Sequence, residues 1–129
     1  MIVNTGLKAL LTAQLSYLSN LTWQLFTSDT TITRATVLTD LGSVASWTGY
    51  ADVPAGGWGT VNIVDPRAVS VDTVLPTFDN SSGSGQTFYV VALVDVINST
   101  LVWAQNLGAT VIADGGSYVF TGQITDKQE

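Results

Sequence analysis

The chain has 129 residues, a formal net charge of −6 and neither cysteine nor histidine, which fits one domain and leaves out disulfides and Cys/His zinc sites. Charged residues are 11% of it, well under the ~25% of an average domain, and the bulk of its polarity comes from Thr, Ser, Asn and Gln. The four basic residues, Lys8, Arg34, Arg67 and Lys127, are scattered, so no basic patch exists to meet nucleic acid or an anionic membrane surface.

The first element reads as an amphipathic helix over residues 5–19. Leu7, Leu11, Leu15 and Leu18 recur at spacings of four, four and three, which keeps them on one arc at about 100° per residue. Asn4 or Thr5 supplies a capping oxygen. Gln14 sits inside the apolar arc and needs a partner there, for which a nearby backbone group suffices. No basic flank and long apolar core of a secretory signal precedes the helix, so the chain is expected to be made in a cytoplasm and kept whole.

A strand follows from Leu21 to Thr27, with Leu21, Trp23 and Leu25 on one face and Thr22 and Gln24 on the other. Ser28-Asp29-Thr30-Thr31 reads as a turn. Thr36 to Leu41 suits one or two helical turns stopped by Gly42. Trp47 to Pro54 reads as a strand and 55–59 as a glycine-rich turn. Thr60 to Val64 and Val69 to Leu75 read as two more strands, closed by Asp65-Pro66 and Pro76.

After the loop Ser81-Ser82-Gly83-Ser84-Gly85, Thr87 to Ile97 is apolar on both faces, the mark of a central strand. Phe88, Val90, Ala92, Val94 and Val96 are expected on one side, and Tyr89, Val91 and Leu93 on the other. Asn98-Ser99-Thr100 turns it into Leu101 to Gln105. A last hairpin is expected between Ala109–Ala113 and Ser117–Ile124, around Asp114-Gly115-Gly116. Residues 125–129 read as a polar tail that frays.

Together these elements describe a single, mainly β domain over 1–129: a helix at 5–19, a β-rich body at 21–124 and the tail. Strands this short, with turn signals about eight to twelve residues apart, suit an antiparallel β-sandwich or a jelly-roll-like barrel, with the helix over an open end or edge.

Catalytic chemistry is poorly provided for. Without His or Cys there is no Ser-His-Asp triad, thiol nucleophile or imidazole base. The only glutamate is Glu129, and no aspartic-protease signature, phosphate-binding loop or dinucleotide fingerprint occurs. The expectation is a non-enzyme with no cofactor. Asp79-Asn80-Ser81-Ser82 gathers oxygens that suit calcium, yet it lacks the spaced acids of a calcium loop and reads more simply as an Asx turn. Asn-x-Ser/Thr strings occur at Asn20, Asn80 and Asn98, as a Thr/Ser-rich chain produces by chance.

The candidate contact residues are Trp47, Tyr50 and Trp58, around a glycine-rich segment. Such aromatics fill a core between sheets, anchor a subunit interface or stack on sugar rings. Trp23 and Trp103 lie in strand patterns and read as core. Low charge allows either a monomer with a Thr/Ser-coated surface or a surface partly covered by neighbours.

Read in order, Leu25-Phe26-Thr27-Ser28-Asp29, Thr39-Asp40-Leu41, Thr48-Gly49-Tyr50-Ala51 and Phe78-Asp79-Asn80-Ser81-Ser82-Gly83 follow the Leu-rich opening helix and precede a long aromatic strand. This order resembles small structural proteins encoded among the virion genes of tailed bacteriophages, over about Leu7 to Gln123. Where that family often has a Tyr-Gly pair, this chain has Tyr89-Val90. The resemblance implies a β-rich virion subunit without enzymatic activity: a capsid decoration (cement) protein, or a tail or head-fibre component. Its partners would be copies of itself in a homo-oligomer and the major capsid or other virion proteins. A carbohydrate-binding or adhesion module using Trp47, Tyr50 and Trp58 is the reading from a different class.

Overall fold

A computed structural model of the protein describes residues 21–55, 62–64, 67–71, 75–121 and 123–127. The opening helix at 5–19, with Gln14, lies outside the described residues, as does Trp58. Among the described residues the protein is mainly β, its strands antiparallel, with almost no helix.

In chain order the strands are β1 (Thr22–Phe26), β2 (Val53–Pro54), β3 (Asn62–Val64), β4 (Arg67–Val71), β5 (Thr77–Asp79), β6 (Gln86–Asp95), β7 (Thr100–Ile112), β8 (Ser117–Val119) and β9 (Gln123–Lys127). They form a four-stranded sheet in the order β2-β1-β6-β7, a three-stranded sheet β3-β4-β9 and a two-stranded sheet β5-β8. A short 3₁₀ turn, Leu38–Leu41, ends at Gly42, whose φ of 73° with ψ −136° is a backbone conformation open chiefly to glycine.

β6 is the centre, as its two apolar faces require. On one face Leu21, Trp23, Leu25, Phe88, Val91 and Leu93 are buried against Phe78 and Phe120 of the β5-β8 layer. On the other, Val90, Ala92, Val94 and Phe26 are buried with Leu41, and Ile32 and Leu38 pack onto them. The excursion between β1 and β2 therefore covers the second face. Trp23 is wholly buried. It meets Trp103 edge-on at 5.8 Å and Phe120 at 5.4 Å between ring centroids, geometries that the ring quadrupoles favour.

Several expectations need correction. Trp47 to Tyr50 is a turn, not the start of a strand: Tyr50 N–H donates to the Trp47 carbonyl at 3.1 Å and Gly49 has φ 92°. Only Val53–Pro54 of that segment pairs, with β1. Strand β4 starts at Arg67 rather than Val69 and reaches Val71; residues 72–74 lie outside the described residues. Leu101–Gln105 and Ala109–Ala113 are not separate strands but parts of β7. The turn-like Asn106-Leu107-Gly108 between them is a bulge: the Asn106 side-chain carbonyl accepts from Gly108 N–H at 2.7 Å, and Gly108 has φ 74°. A bulge absorbs extra residues without ending the strand.

The pairing jumps from Phe88↔Thr110 to Val90↔Asn106 across that irregularity, and Phe88 lies with Val91 and Leu93 rather than with Val90. Val96 lies beyond β6, in the turn. Asp114-Gly115-Gly116 does not close a hairpin. It carries the chain from β7 to β8, which pairs with β5, because Phe78, Tyr118 and Phe120 belong to the layer over the first face. The expected strand to Ile124 is divided into β8 and β9, and Thr125–Lys127 is not a frayed tail but pairs with β4.

Candidate contact site around Trp47 and Tyr50

The site is built on the outer edge of β1. An edge strand leaves a row of backbone groups unpaired, and β2 meets only Thr22 and Trp23. The loop between Ser43 and Ala55 supplies the rest. Thr27 N–H donates to the Ser43 carbonyl at 3.2 Å, Ala45 N–H to the Leu25 carbonyl at 2.8 Å, and Ala55 N–H to the Leu21 carbonyl at 2.9 Å. Phe26 makes a single antiparallel bridge to Val44.

One donor, Leu25 N–H, has no strand opposite it. It donates to the Tyr50 hydroxyl at 3.1 Å. That hydroxyl in turn donates to Asp52 Oδ1 at 2.7 Å, while Gln24 Nε2 donates to Asp52 Oδ2 at 2.9 Å. The phenol thus replaces a missing strand, and Asp52 fixes its direction. Burial pushes the Tyr50 phenol well above its ordinary range. The Leu25 N–H works against that rise, and the Asp52 hydrogen bond and charge add to it. The side chain stays a neutral donor across the physiological range.

The Tyr50 ring is stacked on Phe78, 5.9 Å between centroids with an interplanar angle of 11°, and the Trp47 ring meets it edge-on at 5.4 Å. Trp47 Nε1 donates to the Asp79 carbonyl at 2.8 Å, and Ser81 N–H donates to the Thr48 carbonyl at 2.9 Å. The turn is thereby fastened to the start of the Gly/Ser loop. Gly49 is required twice over: its φ is positive, and a Cβ would come within 2.6 Å of Ser81 Oγ and 2.8 Å of Ser81 N.

The structure brings Trp47 and Tyr50 together, half-buried against the first core face. Both polar tips are occupied within the chain. Trp23 is core, as its strand position implies, while Trp103 is half-buried and packs against that core.

The oxygen-rich loop at 79–82 is an Asx turn: Asn80 Oδ1 accepts from Ser82 N–H at 3.0 Å. The Asn80 amide donates to the Ser84 and Ile112 carbonyls, both at 2.8 Å. Asn80 is buried, and its backbone N–H donates to the Gly116 carbonyl while its carbonyl accepts from Gly115 N–H. It is a structural hub that sequence reading missed; the available signal was an Asn just before a Gly/Ser run, which is common in any turn. Among the described residues no group of three or more acidic, His or Cys side chains could hold a metal ion, and no helix is long and apolar enough to cross a membrane. Comparison with protein-family models, with curated proteins and with solved structures gives no match for this chain.

Proposed function

We propose that the protein is a non-enzymatic structural subunit of a tailed-phage particle, a capsid decoration subunit that packs against copies of itself and against major capsid or other virion proteins. Its location would be the virion, after synthesis in the host cytoplasm. In this reading the β5-β8 layer over the four-stranded sheet is one side of a β-sandwich.

The supporting observation is the character of what remains outside once internal bonds are satisfied. The aromatic and amide groups that could grip a ligand at the candidate site are bonded within the chain. The surface instead offers exposed aliphatic side chains, among them Val37, Leu75, Ile97, Val111 and Val119, in a chain with few charges. Such a surface suits repeated packing better than capture of a polar solute. The strings on which the resemblance rests also meet in space: Tyr50 touches Leu25 and Phe78, Ser81 holds Thr48, and Thr30, just after the first string, donates to the Asp40 carbonyl.

Light scattering over a broad dilution series tests the reading, alongside a glycan screen. The expected result is a closed oligomer that binds no glycan. A monomer throughout the series would overturn self-assembly. Binding of a glycan that Trp47→Ala abolishes would replace the structural role with adhesion.

A further inference from the structure

β7 is a 13-residue strand at the end of its sheet, and among the described residues its only strand partner is β6. Exposed edges of that length are normally blunted by charge, proline, bulges or cover, and of these devices β7 shows the bulges. Here the chain carries no charged residue and no proline from Val96 to Ala113. The neighbouring strands β1 and β6 are also poor in charge, but they are buried; β7 is largely half-exposed or exposed. The turn that leads into it, Val96 to Ser99, is tied back to the end of β6 by side-chain hydrogen bonds. The Asp95 carboxylate accepts from Asn98 N–H at 3.1 Å and from the Asn98 amide at 2.8 Å, and Ser99 adopts φ 51°, a conformation that ordinary residues seldom take. This braced turn presents Ile97, which is 90% exposed, and Val111 at the other end of β7 is 64% exposed; they are the two most exposed large apolar residues described.

We infer that the β7 edge, with the β6–β7 turn, is the contact surface for a second copy of this chain, the two β7 strands running antiparallel across a two-fold axis. Three observations choose this occupant. An antiparallel edge is complementary to itself, so one surface serves both partners. Two copies with net charge −6 repel wherever carboxylates face each other, and the tract from 96 to 113 contains none. Bulges interrupt the β6–β7 pairing on either side of Trp103 to Asn106, leaving that run as the regular stretch on which pairing centres. Centring there sets Ile97 of each copy beside Val111 of the other, so the two exposed side chains cover each other twice.

The inference rests on the self-assembly reading and deepens it, and one set of variants separates the two. Ile97→Lys and Val111→Asp each leave the fold intact, since both positions face solvent. Each should raise the dimer dissociation constant about tenfold or more, read as a fall in mass on dilution. An equimolar mixture should restore the dimer. In the mixed pair the introduced lysine of one copy faces the introduced aspartate of the other, and the second contact keeps Ile97 against Val111. Val44→Asp, at the covered β1 edge, should leave the mass unchanged. If wild type is an oligomer that neither β7 substitution weakens, or if the mixture gives no rescue, the β7 contact is wrong while self-assembly stands. If wild type is a monomer at every concentration, both fall.

Discussion

At the β1 side of the four-stranded sheet the chain folds back over its own edge; at the β7 side no described strand pairs with the edge. The first edge is finished by two residues of β2, one of them Pro54, by a loop that returns three backbone hydrogen bonds to Leu21, Leu25 and Thr27, and by a tyrosine hydroxyl where no backbone partner is available. The second edge is longer, has two bulges, and among the described residues has no strand paired along it. Edge strands invite pairing with other chains. Closing one side with this many specific contacts while leaving the other uncharged and exposed limits sheet extension to a single direction. In the assembly proposed above, that asymmetry would permit a closed pair and oppose an open-ended stack.

The largest expected effect comes from removing the cover. Tyr50→Ala deletes a ring stacked on buried Phe78 and strands the Leu25 N–H, so it should destabilise the fold by about 3–4 kcal/mol, in the range of large aromatic truncations. Urea unfolding measures this. The comparison also requires that the variant, with its β1 edge uncovered, aggregates with rising concentration while wild type does not. Loss of stability without aggregation would show that Tyr50 packs the core but does not guard the edge.

Gly49→Ala is next. It asks an alanine to adopt φ 92° with its Cβ against Ser81, for a penalty of about 2 kcal/mol. If thermal unfolding shows no change, the turn is not tightly docked on the Gly/Ser loop, and the cover is looser than its hydrogen bonds imply.

The covered edge was only partly legible in the sequence. Alternation placed Leu21, Trp23 and Leu25 on one face correctly, because a strand's period of two is enforced by burial. It misread Trp47 to Pro54 as a strand, since aromatic and β-branched residues carry the same signal whether they pair or dock. That Trp47 and Tyr50 share a site was legible from their proximity around Gly49. That Tyr50 substitutes for a strand partner was not, because the need for it arises on β1, 25 positions away. The open edge was misread for the opposite reason. Asn106-Leu107-Gly108 has turn composition, and only tertiary bonds from the Asn106 amide to Asp29 Oδ1 and the Thr30 carbonyl, both at 2.8 Å, show it as a bulge within a continuous strand.

A finer cut separates the hydroxyl of Tyr50 from its ring. Tyr50→Phe keeps the stacking on Phe78 and leaves Leu25 N–H unpaired, for a loss of about 1 kcal/mol. The pH profile is more diagnostic. The folded phenol titrates higher than the ordinary value of about 10 for an unfolded tyrosine. A raised value means that folding favours the protonated form, so the stabilisation is complete below about pH 10 and declines above it as the unfolded chain ionises. Burial raises Tyr118 in the same direction, so Tyr50→Phe should reduce the alkaline slope of stability without abolishing it. An unchanged slope would assign the alkaline loss to Tyr118 and leave the edge-capping role unsupported.

The smallest effect on folding belongs to the open edge, and there smallness is itself the prediction. Ile97→Lys and Val111→Asp should each change monomer stability by less than about 0.5 kcal/mol, as solvent-facing substitutions do, measured at concentrations too low for association. The same pair must alter the mass at high concentration. Stability and assembly are then carried by different edges of one sheet: Tyr50 variants move unfolding first, and β7 variants move mass alone. Should Ile97→Lys lower stability as much as Tyr50→Phe, the Val96–Ser99 turn would be part of the domain's own packing, and the division between a sealed and an offered edge would no longer hold.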